Sequence, residues 1–169
     1  MKIRILLSVF CTLLLFAAGC KKNHKEEPEQ PKQELSLLGN EARPQWKNEV
    51  SNNDLILNMT MLVKIDFSNY AEQLEGIDFA VTDNDLLTAF AGEKCVGEAE
   101  LIDGLFYLYI SNPAEDSESD IDSSGQIKLK FYSAVLKNIF MSVETYNYQN
   151  DAHFGTASEP ITPQFILVK

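Results

Sequence analysis

Between Asp83 and Ile110 the chain reads DNDLLTAFAGEKCVGEAELIDGLFYLYI, three short apolar runs separated by turns at Gly92 and at Asp103-Gly104. Glycine and Asp-Gly placed between apolar runs let antiparallel strands reverse within a few residues. The stretch is therefore expected to form a three-stranded meander: Leu86 to Ala91, Cys95 to Leu101 and Leu105 to Ser111. The first run is nearly all apolar, as in a central strand covered on both faces. In the second, Gly97 is read as a bulge or a close approach of another backbone. In the third, Phe106, Leu108 and Ile110 form the better core face, leaving Tyr107 and Tyr109 outward.

The same rhythm runs through the rest of the chain. From Leu55 to Phe67 the odd positions, among them Met59, Met61, Val63, Ile65 and Phe67, are apolar against polar neighbours, a period of two that predicts a half-buried strand. Residues 68 to 78 read as a loop or one helical turn, and Phe79-Ala80-Val81 as the start of another strand. Gln126 to Tyr132 alternates Ile127, Leu129 and Phe131 with Lys128, Lys130 and Tyr132. Ile139 to Tyr148 and Phe165 to Val168 supply the last strands. Seven or eight strands without helical periodicity predict an all-β fold, an antiparallel, immunoglobulin-like β-sandwich in a single domain over residues 43–169. Those residues suffice to bury roughly two-thirds of their unfolded surface.

Residues 1–19 read as a signal peptide, with Lys2 and Arg4 before an apolar run, Ile5 to Phe16, that is too short to span a bilayer. The run ends in Ala17-Ala18-Gly19-Cys20, which resembles a bacterial lipobox and implies cleavage before Cys20 and lipidation of its thiol. Residues 20–42 then form a charged, Pro-containing tether with little to bury, expected to be disordered. The chain is expected in the outer membrane, facing the periplasm or the cell exterior, held by its lipid.

Removing residues 1–19 takes away two of 14 basic residues and none of the 25 acidic ones, so the mature chain carries 12 minus 25, or −13. That balance repels nucleic acid, and no nucleic-acid partner is expected. With Cys11 removed and Cys20 lipidated, Cys95 stands alone in the domain and has no intramolecular disulfide partner. It is read as a small buried hydrophobe, against the alternative of a reactive nucleophile.

The succession of Pro44-x-Trp46, Asn58-Met59-Thr60-Met61, LLTAFAGEKCVGEAEL, LFYLYISN and IKLKFYSA resembles a small β-sandwich module common in Bacteroidetes surface and secreted proteins. Its most specific part is Ala89 to Cys95. The resemblance spans about Pro44 to Val168 and departs at Val96 and Ser133, where the family often carries arginine and aspartate. It implies a fold and an exterior location, without a shared enzymatic chemistry.

Few residues suggest chemistry. His153 lies near Asp151, but no nucleophile motif accompanies them, and no enzymatic activity is expected. One histidine and one cysteine make a poor zinc set. No cofactor is expected, apart from a weak calcium site in the acidic loop 112–125. There Asp120, Asp122 and Ser124, followed by Gly125 and Ile127, repeat the first half of a calcium loop, but Phe131 occupies the position of its bidentate glutamate. A solvated loop without metal is the competing reading. Tyr107, Tyr109 and Tyr132 form an outward platform if the strands Leu105 to Ser111 and Gln126 to Tyr132 pair, the alternative being that each packs under a loop or sheet. Two functions follow: a non-catalytic protein-interaction or adhesion module, and a glycan-binding accessory lipoprotein of a polysaccharide-uptake system. An apolar patch or open edge strand favours the first and a flat tyrosine row the second.

Overall fold

The computed structural model describes residues 36–50, 58–113 and 125–168, within one compact unit, Leu35–Lys169. The predicted signal peptide, Cys20 and the acidic-loop residues Asp120, Asp122 and Ser124 lie outside the described residues.

The domain is all-β and β-sandwich-like, with no α-helix among the described residues; one 3-10 turn spans Ser68–Tyr70. Its strands are β1 (Met59–Val63), β2 (Leu86–Ala91), β3 (Lys94–Ile102), β4 (Leu105–Ile110), β5 (Gln126–Ser133), β6 (Asn138–Ser142), β7 (Tyr146–Asn147), β8 (His153–Phe154) and β9 (Phe165–Leu167). They form one continuous sheet in the order β8-β1-β4-β3-β2-β5-β6-β9, with β7 pairing β5 off that path. Every pair is antiparallel except β1 with β8. Phe79-Ala80-Val81 forms no strand, and the predicted strand from Ile139 to Tyr148 is divided between β6 and β7.

The sheet curls around its own apolar face. Phe106 on β4 and Phe131 on β5 are separated by β3 and β2, about 14 Å in a flat sheet, yet their ring centroids lie 6.0 Å apart. The two ends of the sheet also approach each other. Ile161 exchanges hydrogen bonds with Leu62 and Lys64 beside β1, and four residues later Phe165 opens β9 at the opposite end, a reach of at most about 14 Å. Inside the curl, Phe67 meets Phe131, Phe140 and Phe165, with centroids 5.9, 4.7 and 6.4 Å away. Met59, Met61, Val63, Phe106, Leu108, Ile110, Ile127, Leu129 and Phe131 are all buried here, the alternate positions their strands predicted.

Residues 36–50 cross the outer face as a strap. The Gly39 and Glu41 amides donate to the carbonyls of Leu136 and Lys137 at 2.8 and 2.9 Å, and Glu49 donates to the Cys95 carbonyl at 2.9 Å. Leu37 is buried in the core cluster, so packing takes in residues on the N-terminal side of Arg43. Where the strap passes β2, Trp46 meets Phe90 edge-to-face at 5.6 Å. This cover buries Phe90 and Thr88 on the outer face, which makes β2 a central strand covered on both sides.

Gly97 meets both readings made for it. The register slips between Ala89 and Phe90, so β3 carries an extra residue opposite β2. A Cβ at Gly97 would also run into the Tyr109 carbonyl oxygen and come within 3.0 Å of the Ile110 Cα.

Candidate functional site

The strand order separates the three tyrosines. β4 and β5 do not pair: β3 and β2 lie between them. Tyr107 and Tyr109 do share the outer face of β4, opposite Leu62 and Thr60 of β1 and Glu100 and Glu98 of β3. Tyr109 is 49% exposed. Tyr132 is 5% exposed, and its hydroxyl donates to the Glu41 carbonyl in the strap at 3.3 Å. The outward reading of Tyr132 is therefore corrected. Its side chain does point away from the core, as the alternation predicts, but the strap lies over it. No three-tyrosine platform exists.

Cys95 is buried, and its thiol donates to the Gly97 carbonyl at 3.7 Å. Burial pushes the thiol up to about 11, partly offset by that hydrogen bond. A thiolate is the nucleophilic form, so Cys95 is inert at neutral pH. His153 sits on the outer face of β8, its Nδ1 hydrogen-bonded to Thr60 Oγ1 and its Nε2 3.9 Å from Asp151. Both side chains are largely exposed. Among the same residues, no group of three or more His, Cys, Asp or Glu side chains is placed to hold a metal.

The structure assembles a different site on the outer face of β5, β6 and β9. A cleft of about 600 Å³ is floored by Lys128 and Lys130 of β5 and by Ile139 and Met141 of β6. Val168 and Trp46 wall it, and Glu93 and Thr145 lie on its rim. Cross-strand register places Lys130 opposite Met141 and Met141 opposite Ile166, so one lateral row runs from cation to exposed apolar side chain.

A bulge fixes one of the two lysines. β5 pairs with Met141 of β6 and, after a slip, with Tyr146 of β7, leaving residues 142–145 outside the ladder. The buried Ser142 hydroxyl repairs the gap, accepting from the Leu129 amide at 3.0 Å and donating to the Glu144 carbonyl at 2.8 Å. The carbonyls of Ser142 and Val143 turn toward Lys128 and accept from its ammonium at 3.2 and 2.6 Å. Lys130 is held differently, its Nζ 4.1 Å from the Phe90 ring centroid. A cation over an aromatic face is attracted by the ring quadrupole.

Beyond the cleft, β9 has a strand neighbour on one side only among the described residues. Val143 donates to the Gln164 carbonyl and Val168 to the Ile139 carbonyl, so residues 164, 166 and 168 face β6. On the other side the Phe165 carbonyl accepts from the Tyr70 hydroxyl at 3.2 Å, which leaves the N–H and C=O of Leu167 as the open stretch. The strand carries no charge, and Ile166 and Val168, each 44% exposed, project beside it.

Alternation alone marked Lys128 and Lys130 as outward, but not what they face. Trp46, Met141 and the pair Ile166 and Val168 come from three separate segments, and no local pattern joins them. No family model, curated protein or solved structure matches the chain.

Proposed function

We propose that the domain is a non-catalytic interaction module of the cell envelope, docking a partner protein on β9 and the apolar surface beside it. The observation that carries this reading is an uncharged edge strand with one free side, flanked by exposed Ile166 and Val168. Natural sheets usually guard such an edge with charge, proline or a covering segment, because an open row of N–H and C=O groups templates further pairing. Tyr70 covers only the Phe165 end of β9, and the Leu167 end, open next to apolar side chains, suits a partner that supplies a further strand. The glycan alternative keeps only Tyr107 and Tyr109, and without Tyr132 it loses the third ring of its platform.

The anchor belongs to the same proposal: Ala17-Ala18-Gly19-Cys20 directs lipidation at Cys20, and the lipid holds the domain at the outer membrane. No helix among the described residues is long and apolar enough to cross a membrane. The test is photo-crosslinking of the full chain in its own envelope from a probe at residue 166 or 168. A discrete protein adduct, lost when Ile166→Lys and Val168→Lys are combined with the probe moved to the neighbouring position, supports docking at β9. Adducts unchanged by the charges, or glycan binding that depends on Tyr109, would overturn it. Labelled palmitate incorporated by the natural chain and not by Cys20→Ser checks the anchor.

A further inference from the structure

Two ammonium groups stand in one cleft of a chain whose formal charge is −11. Among the described residues, Glu93 is the carboxylate that lines the cleft, and it does little to balance them. Glu93 is 99% exposed and 3.9 Å from Lys130, whose side chain is 22% exposed. An ion pair so open to water contributes little. Lys128 has given two of its three donors to the bulge carbonyls, which aim the ammonium without neutralising it. A half-buried cation with so weak a counter-charge favours a carboxylate arriving from outside, where charge-assisted hydrogen bonds are short and strong.

Apart from Gln126 and Thr145, the rest of the lining is apolar. Trp46 stands on one side, and Met141 and Val168 continue without interruption into exposed Ile166. A small acid would occupy the lysine end alone, whereas an extended chain would cover the whole row. We infer that the cleft recognises an acidic, apolar segment of the partner polypeptide. One carboxylate of that segment seats against Lys128 and Lys130, and its apolar side chains lie on Trp46, Met141 and Val168. This rests on the docking reading above and gives that partner its chemistry.

Trp46 is the only tryptophan in the chain, so its fluorescence reports on this cleft alone. The experiment titrates the full chain with a capped peptide of alternating leucine and glutamate, its leucine–glutamine counterpart, and free 4-methylpentanoate. The Leu–Glu peptide is expected to shift Trp46 emission saturably, and the Leu–Gln peptide to bind at least about tenfold more weakly, the loss expected of a hydrogen bond to a charged group. Lys128→Met and Lys130→Met should each weaken the Leu–Glu peptide to a similar extent. Lys130→Arg, which keeps the charge, should restore binding, and an unchanged melting temperature confirms that the variants are folded. Equal binding of the two peptides, indifference to both lysine variants, or no Trp46 response at all would overturn the inference. Saturation by 4-methylpentanoate as tight as by the peptide would overturn the polypeptide occupant. Crosslinks at residue 166 that survive Lys128→Met/Lys130→Met leave docking at β9 standing and remove only the acidic segment.

Discussion

Asp85 is the polar group on which the packing of this domain depends most directly. It is buried at the start of β2, and its two carboxylate oxygens accept from different segments: Oδ2 from the Thr82 amide and Oδ1 from the Ala134 amide in the β5–β6 turn, both at 2.6 Å. The Thr82 hydroxyl adds a longer contact at 3.4 Å. Asp85→Ala leaves two backbone donors without their acceptor. Hydrogen bonds to charged groups contribute about 1.5–3 kcal/mol each, so the loss is about 4 kcal/mol. That is a large part of the 5–15 kcal/mol that typically holds a domain together. At about 3–5 °C per kcal/mol for a domain of this size, the melting temperature falls by about 15 °C. Asp85→Asn keeps one acceptor oxygen and turns an NH2 toward the other donor, so it should lose about half as much. The assay is thermal unfolding of the three proteins, followed by amide hydrogen exchange at Thr82 and Ala134. Both amides should lose protection in the alanine variant and one of them in the asparagine variant. If both variants lose less than about 1 kcal/mol, or if they lose equally, the two-oxygen clamp is wrong.

Three further outcomes follow from the same geometry. Gly97→Ala should destabilise by about 1–3 kcal/mol, because backbone must give way beneath the new Cβ; Gly92→Ala, in open space at φ 59°, should cost only the left-handed penalty of about 1–2 kcal/mol, and denaturant melts rank the two. Tyr132→Ala should lose about 3 kcal/mol or more, as large-to-small substitutions at buried sites do, while Tyr109→Ala, exposed on β4, should stay within about 0.5 kcal/mol of the natural domain. Folded Cys95 holds its proton up to about pH 11, whereas the unfolded thiol releases it near 9.0, so the folded state binds more protons between those values and stability falls as pH rises through them. Tyr146, pushed by burial up to about 12 from 10.0, extends the decline, and Cys95→Ala should flatten its first part in melts taken from pH 8 to 11.

The sequence by itself determined where the main strands run, β1 to β6 and β9, and which side of each faces inward. Alternation of apolar and polar residues is a property of the pleat, so Met59, Met61 and Val63, or Phe106, Leu108 and Ile110, read as core whatever strand lies beside them. The glycine turns at Gly92 and Gly104, both at positive φ, likewise marked their hairpins without reference to the rest of the chain. Only the tertiary structure decided the neighbours. Placing β3 and β2 between β4 and β5 removed Tyr132 from Tyr107 and Tyr109. A strap from the N-terminal side then covered it, and nothing in the alternation of β5 signals a lid from almost a hundred residues away. The break between β6 and β7 was hidden for a related reason. Ser142 fills a ladder gap with its hydroxyl, and a serine in a strand pattern looks the same whether or not it does so. The cleft beside Trp46 and the open Leu167 end of β9 are consequences of pairing order and curl. Both are set by the sum of many distant contacts, and no local run of residues records them.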